Sequence, residues 1–255
     1  MPLRSGGQTR KRWRYIGVFG PEVMLCAARA QVGPLGQSFW VLWDRGERRR
    51  LAHTSLRPGS REVRMDGPAL EIDARGLRAS LCLGECAAVE TICPSGAGWG
   101  WTAKRAGVPI RGTIVAGGRR WDIDALGVDD QSAGYHRRHT SWLWSAGVGR
   151  AVDGRPVAWN LVEGINDPPR RSERGIWIEG EPHEPAPVSF QGMSGIEFAD
   201  GSRLEFAEEC ERARNENFLI VRSRYRHRFG TFTGSLDGLP LAEGSGVMEE
   251  HDAVW

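Results

Sequence analysis

The sequence predicts an all-β protein of two antiparallel barrel-like units with little helix, and three observations carry that reading. No window of a dozen residues keeps apolar positions at i, i+3, i+4 and i+7 without an interrupting Gly or Pro. Period-two segments rich in β-branched and aromatic residues recur along the whole chain. Tight-turn dipeptides punctuate them: Asp-Gly at 66–67, 153–154, 200–201 and 237–238, and Gly-Gly at 117–118.

Residues 1–14 hold Arg4, Arg10, Lys11, Arg12 and Arg14 with no acid and no apolar segment, so they read as a mobile basic tail rather than a secretory signal. The first unit then covers 15–116. Its expected strands include Phe39–Trp43, Leu70–Ala74, Leu77–Leu83 and Trp99–Trp101. The Gly117-Gly118 turn marks the boundary to a second unit, 117–255, with strands at Pro156–Leu161, Phe218–Val221 and Thr231–Leu236. In the run from Ile196 to Phe206 the alternation pairs Phe198 with Leu204 and Ile196 with Phe206, leaving Gly201 in a left-handed bulge position.

Composition narrows the function. The 255 residues carry a net charge of only +2, part of it in the tail, so a nucleic-acid partner has little support. A mean hydropathy of −0.41 and the lack of any apolar run near 18–20 residues argue against an integral membrane segment. The five cysteines, at 26, 82, 86, 93 and 210, form no CxxC pair and read as buried thiols of a soluble, cytoplasmic protein. There is no GxSxG elbow and no glycine-rich phosphate loop, and the reading calls for no cofactor.

What stands out is a polar and aromatic density. Eleven tryptophans are roughly three times the average share. The richest stretch, Tyr135 to Ser145, holds two histidines, a tyrosine, two arginines and two tryptophans, too polar for a core and too aromatic for a solvated face. As a strand from about Tyr135, it places Tyr135, Arg137, His139 and Ser141 on one face and His136, Arg138, Thr140, Trp142 and Trp144 on the other. That separates His136 from His139 and denies them a shared metal. At the C-terminus the same alternation puts Glu249, His251 and Trp255 on one face and Glu250 and Asp252 on the other. Histidine beside a carboxylate suits proton transfer near neutral pH.

The motifs Phe19-Gly-Pro-Glu-Val-Met-Leu-Cys-Ala-Ala28, Gln37-Ser-Phe-Trp40, Gly134-Tyr-His-Arg-Arg-His-Thr-Ser-Trp-Leu-Trp-Ser145, Trp159-Asn-Leu161, Ser172-Glu-Arg174 and Gly246-Val-Met-Glu-Glu-His-Asp-Ala-Val-Trp255 resemble the domain-of-unknown-function 2804 family, over nearly the whole chain after the tail. That family brings no established activity. A His/Trp-rich strand followed by a Trp-Asn strand also resembles, more distantly, the paired lipocalin-like barrels of carotenoid hydratases and tocopherol-cyclase-like proteins. That resemblance implies a cavity for a long apolar molecule.

The leading expectation is a small apolar or amphipathic ligand held in the second unit. Tyr135, Arg137, His139, Asn160 and Glu173 would be polar contacts, Trp142 and Trp144 the walls, and His251 with Glu249 an acid/base pair beside His139. An enzyme of this kind would be a cofactor-free hydratase, cyclase or isomerase. The alternatives are a non-catalytic carrier or sensor using the same cavity, and a metal-dependent enzyme with ligands from Asp130, His139, Glu249 and His251.

Overall fold

The computed structural model describes residues 1–57, 60–218 and 221–254. Among them there is no helix, and every long segment is an antiparallel strand. The first sheet contains β3 (Lys11–Phe19), β4 (Val23–Val32), β5 (Leu35–Asp44), β6 (Arg49–Ser55), β7 (Val63–Asp66), β8 (Ala69–Ala74), β9 (Leu77–Leu83), β10 (Val89–Ser95), β11 (Gly98–Ala116) and β12 (Arg119–Gly134). It is preceded by a two-residue ribbon of β1 (Arg4–Ser5) and β2 (Gln8–Thr9). The second sheet contains β13 (His139–Ala151), β14 (Pro156–Glu163), β15 (Gly175–Ile178), β16 (Glu181–His183), β17 (Ser189–Phe190), β18 (Gly195–Glu197), β19 (Arg203–Phe218), β20 (Val221–Leu236) and β21 (Leu239–Val254).

Strand order is β6-β5-β4-β3-β12-β11-β9-β8-β7 in the first sheet, with β10 on β11, and β16-β15-β14-β13-β21-β20-β19-β18-β17 in the second. Each sheet curls around its own core as a lipocalin-like unit. Ile16, Leu25, Leu42, Leu70, Ile72 and Ile110 fill the first, and Trp159, Leu161, Ile176, Ile196, Leu204 and Phe232 the second. A third apolar cluster lies between the sheets, with Tyr15, Phe19, Met24, Phe39 and Trp43 on one side and Trp144, Trp177, Tyr225, Phe229 and Val247 on the other.

That third cluster explains two kinds of strand. Leu77–Leu83 alternates buried and exposed residues because only one face meets a core. β4 begins with six consecutive buried residues because Leu25 and Ala27 face their own core while Met24, Cys26 and Ala28 face the other sheet.

All five Gly-containing turns read from the sequence connect antiparallel neighbours: β7–β8, β11–β12, β13–β14, β18–β19 and β20–β21. Gly117-Gly118 is thus a hairpin inside the first sheet, and the chain passes to the second sheet at 135–138. The expected strand from Tyr135 is corrected accordingly: β12 ends at Gly134 and β13 begins at His139. The crossing is pinned by Tyr135, whose N–H donates to the Trp99 carbonyl and whose hydroxyl donates to Pro2 O at 2.8 Å.

The basic tail is also corrected. Lys11 to Arg14 open β3, and Lys11 is buried, its Nζ donating to Arg137 O at 2.7 Å. The 196–206 hairpin pairs Ile196 with Leu204, not with Phe206. Asp200 accepts hydrogen bonds from Ser202 N and Oγ at 2.9 and 2.7 Å, which tightens the loop to residues 199–201 with Gly201 at φ 83°. Of the strand expected at 218–221, β19 ends at Phe218 and β20 starts at Val221, while Leu219 and Ile220 lie outside the described residues.

Candidate functional site

A cavity of about 360 Å³ opens within the layer between the two sheets. Trp13, Tyr15, Ala28, Ala30 and Phe39 of β3–β5 form one wall, and Trp142, Trp144, Tyr225, Glu249 and His251 of the second sheet face them. The sequence placed the site in the second unit alone. The two units share it, because the face of β3 opposite Ile16 and Val18 has no core of its own sheet to cover it.

The second-sheet wall follows from register. Trp142 pairs with His251 and Trp144 with Glu249, so these four side chains share one face of the β13–β21 ladder. Glu249 is buried and held at both oxygens: Trp142 Nε1 donates to Oε1 at 3.0 Å and the Tyr225 hydroxyl to Oε2 at 2.8 Å. Burial pushes its carboxyl up to about 7 against those two hydrogen bonds, which favour the ionised form. His251 stands edge-on to Trp142 and Tyr225, with ring centroids 4.4 and 5.1 Å away, and its Nε2 lies 2.8 Å from Ser223 Oγ. Burial pulls its imidazole down to about 4, so it is neutral at physiological pH.

A second polar group borders the cavity. Lys104 Nζ lies 2.6 Å from Asp130 and 3.4 Å from Glu173, and Asn166 Nδ2 donates to Glu173 Oε2 at 2.9 Å. Burial raises the Glu173 carboxyl to about 7. Asn160 sits behind the wall, accepting from Trp144 Nε1 at 2.8 Å and donating to Glu173 O at 2.8 Å, so it fixes the indole without lining the space.

Trp142, Trp144, Glu173, Glu249 and His251 therefore come together. Besides Asn160, three expected contacts do not. His139 lies on the outer face of β13, where its exposed ring meets Asp252 at 2.7 Å. Tyr135 is buried in the crossing segment, and Arg137 is exposed beside Gly96. His139 and His251 point to opposite faces of one ladder, so they cannot ligate one ion. Among the described residues no three His, Cys, Asp or Glu side chains are grouped as metal ligands. Trp255 lies outside the described residues.

Residues missed by the sequence reading include Trp13, Tyr15, Tyr225, Lys104 and Arg212, all lining the cavity. Two signals pointed to some of them. The chain has only three tyrosines, two of which are here, and Lys104 is one of only two lysines among 34 basic residues.

The DUF2804 family, a domain of unknown function, matches residues 50–255. No curated protein matches the chain. Among solved structures, an ATTH-like protein of Nitrosomonas europaea aligns over 94% of this chain and 92% of its own, with a TM-score of 0.60 at 13% identity. Kievitone hydratase of Nectria haematococca aligns over 96% and 88%, with a TM-score of 0.56 at 8% identity. CghA, solved with Sch210972, aligns over 96% and 88%, with a TM-score of 0.52 at 8% identity. At these identities the likeness is one of fold. Among the described residues no helix is long and apolar enough to cross a membrane.

Proposed function

We propose that this chain, which belongs to the DUF2804 family, binds an apolar or amphipathic small molecule in the cavity between its two sheets and carries out cofactor-free acid–base chemistry on it, as a hydratase, cyclase or isomerase. The observation that carries the reading is Glu249: a carboxyl in an aromatic cavity, poised near neutrality and oriented at both oxygens. A group that gives or takes a proton at pH 7 needs this kind of environment, and general acid–base catalysis by one positioned group is worth roughly 10²–10⁴ in rate.

The roles follow from placement. Trp13, Trp142 and Trp144 hold the apolar body of the ligand by ring faces and edges. Protonated Glu249 delivers a proton to an unsaturated carbon or a leaving oxygen, and neutral His251, tied to Ser223, accepts one from water or from the ligand. A shared fold with kievitone hydratase supports the reaction class without supplying residue roles. The purely carrier reading differs in predicting binding without turnover.

Decanol serves as a neutral probe of the cavity. Calorimetry is expected to find one decanol bound per chain, and Ala30→Trp, which plugs the half-buried wall between Trp13 and Gln37, is expected to abolish it. Equal binding by the folded plugged variant, or a wild type that binds neither decanol nor its carboxylate counterpart decanoate, overturns the proposal.

A further inference from the structure

We infer that Arg212 is the receptor for an anionic group, so that the molecule the cavity takes is an amphipathic carboxylate and not a neutral apolar compound; this rests on the cavity reading above. Arg212, on β19, lines the cavity and is only 6% exposed. Its guanidinium carbon sits 4.4 Å from the Phe39 ring centroid and 5.5 Å from that of Tyr225. One hydrogen bond fixes it, from NH2 to Thr54 Oγ1 at 2.7 Å.

What is missing is a carboxylate. Among the described residues no acid forms an ion pair with Arg212; Glu216 lines the same cavity and acts on it at longer range, but it and the other neighbouring acids are each paired with a different arginine. Glu209 binds Arg45, Glu211 binds Arg226 and Arg228, and Glu216 binds Arg214. A guanidinium keeps its proton at any relevant pH and has five N–H donors in a planar fork. Burying such a cation without a counter-charge is costly, and the two rings around it offset only part of that cost.

Glu249 does not neutralise it. Its two oxygens are occupied by Trp142 and Tyr225, and it is half-protonated near pH 7. The cavity therefore offers a fixed positive fork at one point and a proton source at another, with Tyr225 touching both: its ring packs on Arg212 and its hydroxyl binds Glu249. A ligand carboxylate can satisfy the fork by two parallel N–H···O bonds, which fixes the position of the rest of the molecule relative to Glu249.

The test compares decanoate with decanol at pH 6, where the probe carboxylate is ionised and Glu249 is largely protonated. Wild-type protein is expected to bind decanoate about tenfold or more tightly than decanol, the range for a charge-assisted hydrogen bond. Arg212→Met is expected to bring that ratio to about one while decanol affinity is kept, which also reports that the variant folds. Arg212→Lys, retaining charge without the fork, is expected to fall between. No preference in the wild type, or a wild-type ratio in either variant, overturns the inference while leaving the cavity reading intact. Failure of both probes to bind removes the two together.

Discussion

Glu249→Gln is expected to keep ligand binding, to lower turnover by roughly 10²–10⁴ and to remove part of the fall in stability between pH 4.5 and about 7. The sign follows from the folded carboxyl lying at about 7 against an ordinary value of 4.5. Below 4.5 both folded and unfolded chains hold the proton and the full contribution is present. As pH rises towards 7 the unfolded chain releases its proton first, and about 3 kcal/mol of stability is lost by the time the folded group ionises. Glutamine fills the same space without a charge to bury. Glu173, also raised to about 7, titrates in the same direction and keeps part of the fall in the variant.

The acid side behaves oppositely. His136, His227 and His251 are pulled down by burial to about 4, 3 and 4, so their contribution is present above the ordinary histidine value of 6.5 and lost as pH falls through those values. Urea unfolding at pH 5 and pH 8 checks the Glu249 assignment. Equal losses in wild type and Glu249→Gln between those two pH values would show that the carboxyl is not buried in the charged form.

Trp177→Ala is expected to cost about 3–5 kcal/mol, the range for truncating a large core ring. Trp177 is 1% exposed, belongs to β15 of the second sheet and packs in the cluster between the sheets. Its indole N–H donates to Ala87 O at 2.8 Å, in the segment joining β9 and β10 of the first sheet. Alanine leaves a void and an unpaired carbonyl in the layer that also holds the cavity. Since the cavity needs both sheets, decanol affinity is expected to fall with stability. A loss under about 0.5 kcal/mol, the usual range for surface changes, would mean that the two sheets do not depend on this contact.

Much of the fold was legible because its signals are local. Asp-Gly and Gly-Gly turns report a backbone requirement two residues wide, and strand alternation reports which face is buried. The same alternation had already set His139 apart from Trp142 and Trp144 and joined Glu249 to His251. Placing His139 in the site ran against that geometry, and the structure puts it on the outer face with Asp252.

What could not be read is what the second sheet brings against the first. Trp13 and Tyr15 lie in a segment that reads as tail and first strand, yet Trp13 stacks on Trp142 and the Tyr15 hydroxyl meets His227 Nε2 at 3.0 Å. Arg212 sits among Glu208, Glu209, Glu211 and Arg214, which looks like an ordinary solvated strand. The packing of Phe39 from β5 and Tyr225 from β20 around it buries it as a cation with no ion-pair partner among the described residues. The density of polar and aromatic residues at 135–145 was a true signal with a double meaning, since its first four residues cross between sheets and only Trp142 and Trp144 of the remainder line the site.

The most direct test of a ligand cavity between the sheets is native mass spectrometry of the protein expressed in its own host and purified without detergent. Glu249→Gln, which binds but does not convert, is expected to carry a non-covalent small molecule at up to one per chain, absent from Ala30→Trp purified in parallel. The same bound mass on the plugged variant would place the molecule elsewhere and contradict the account.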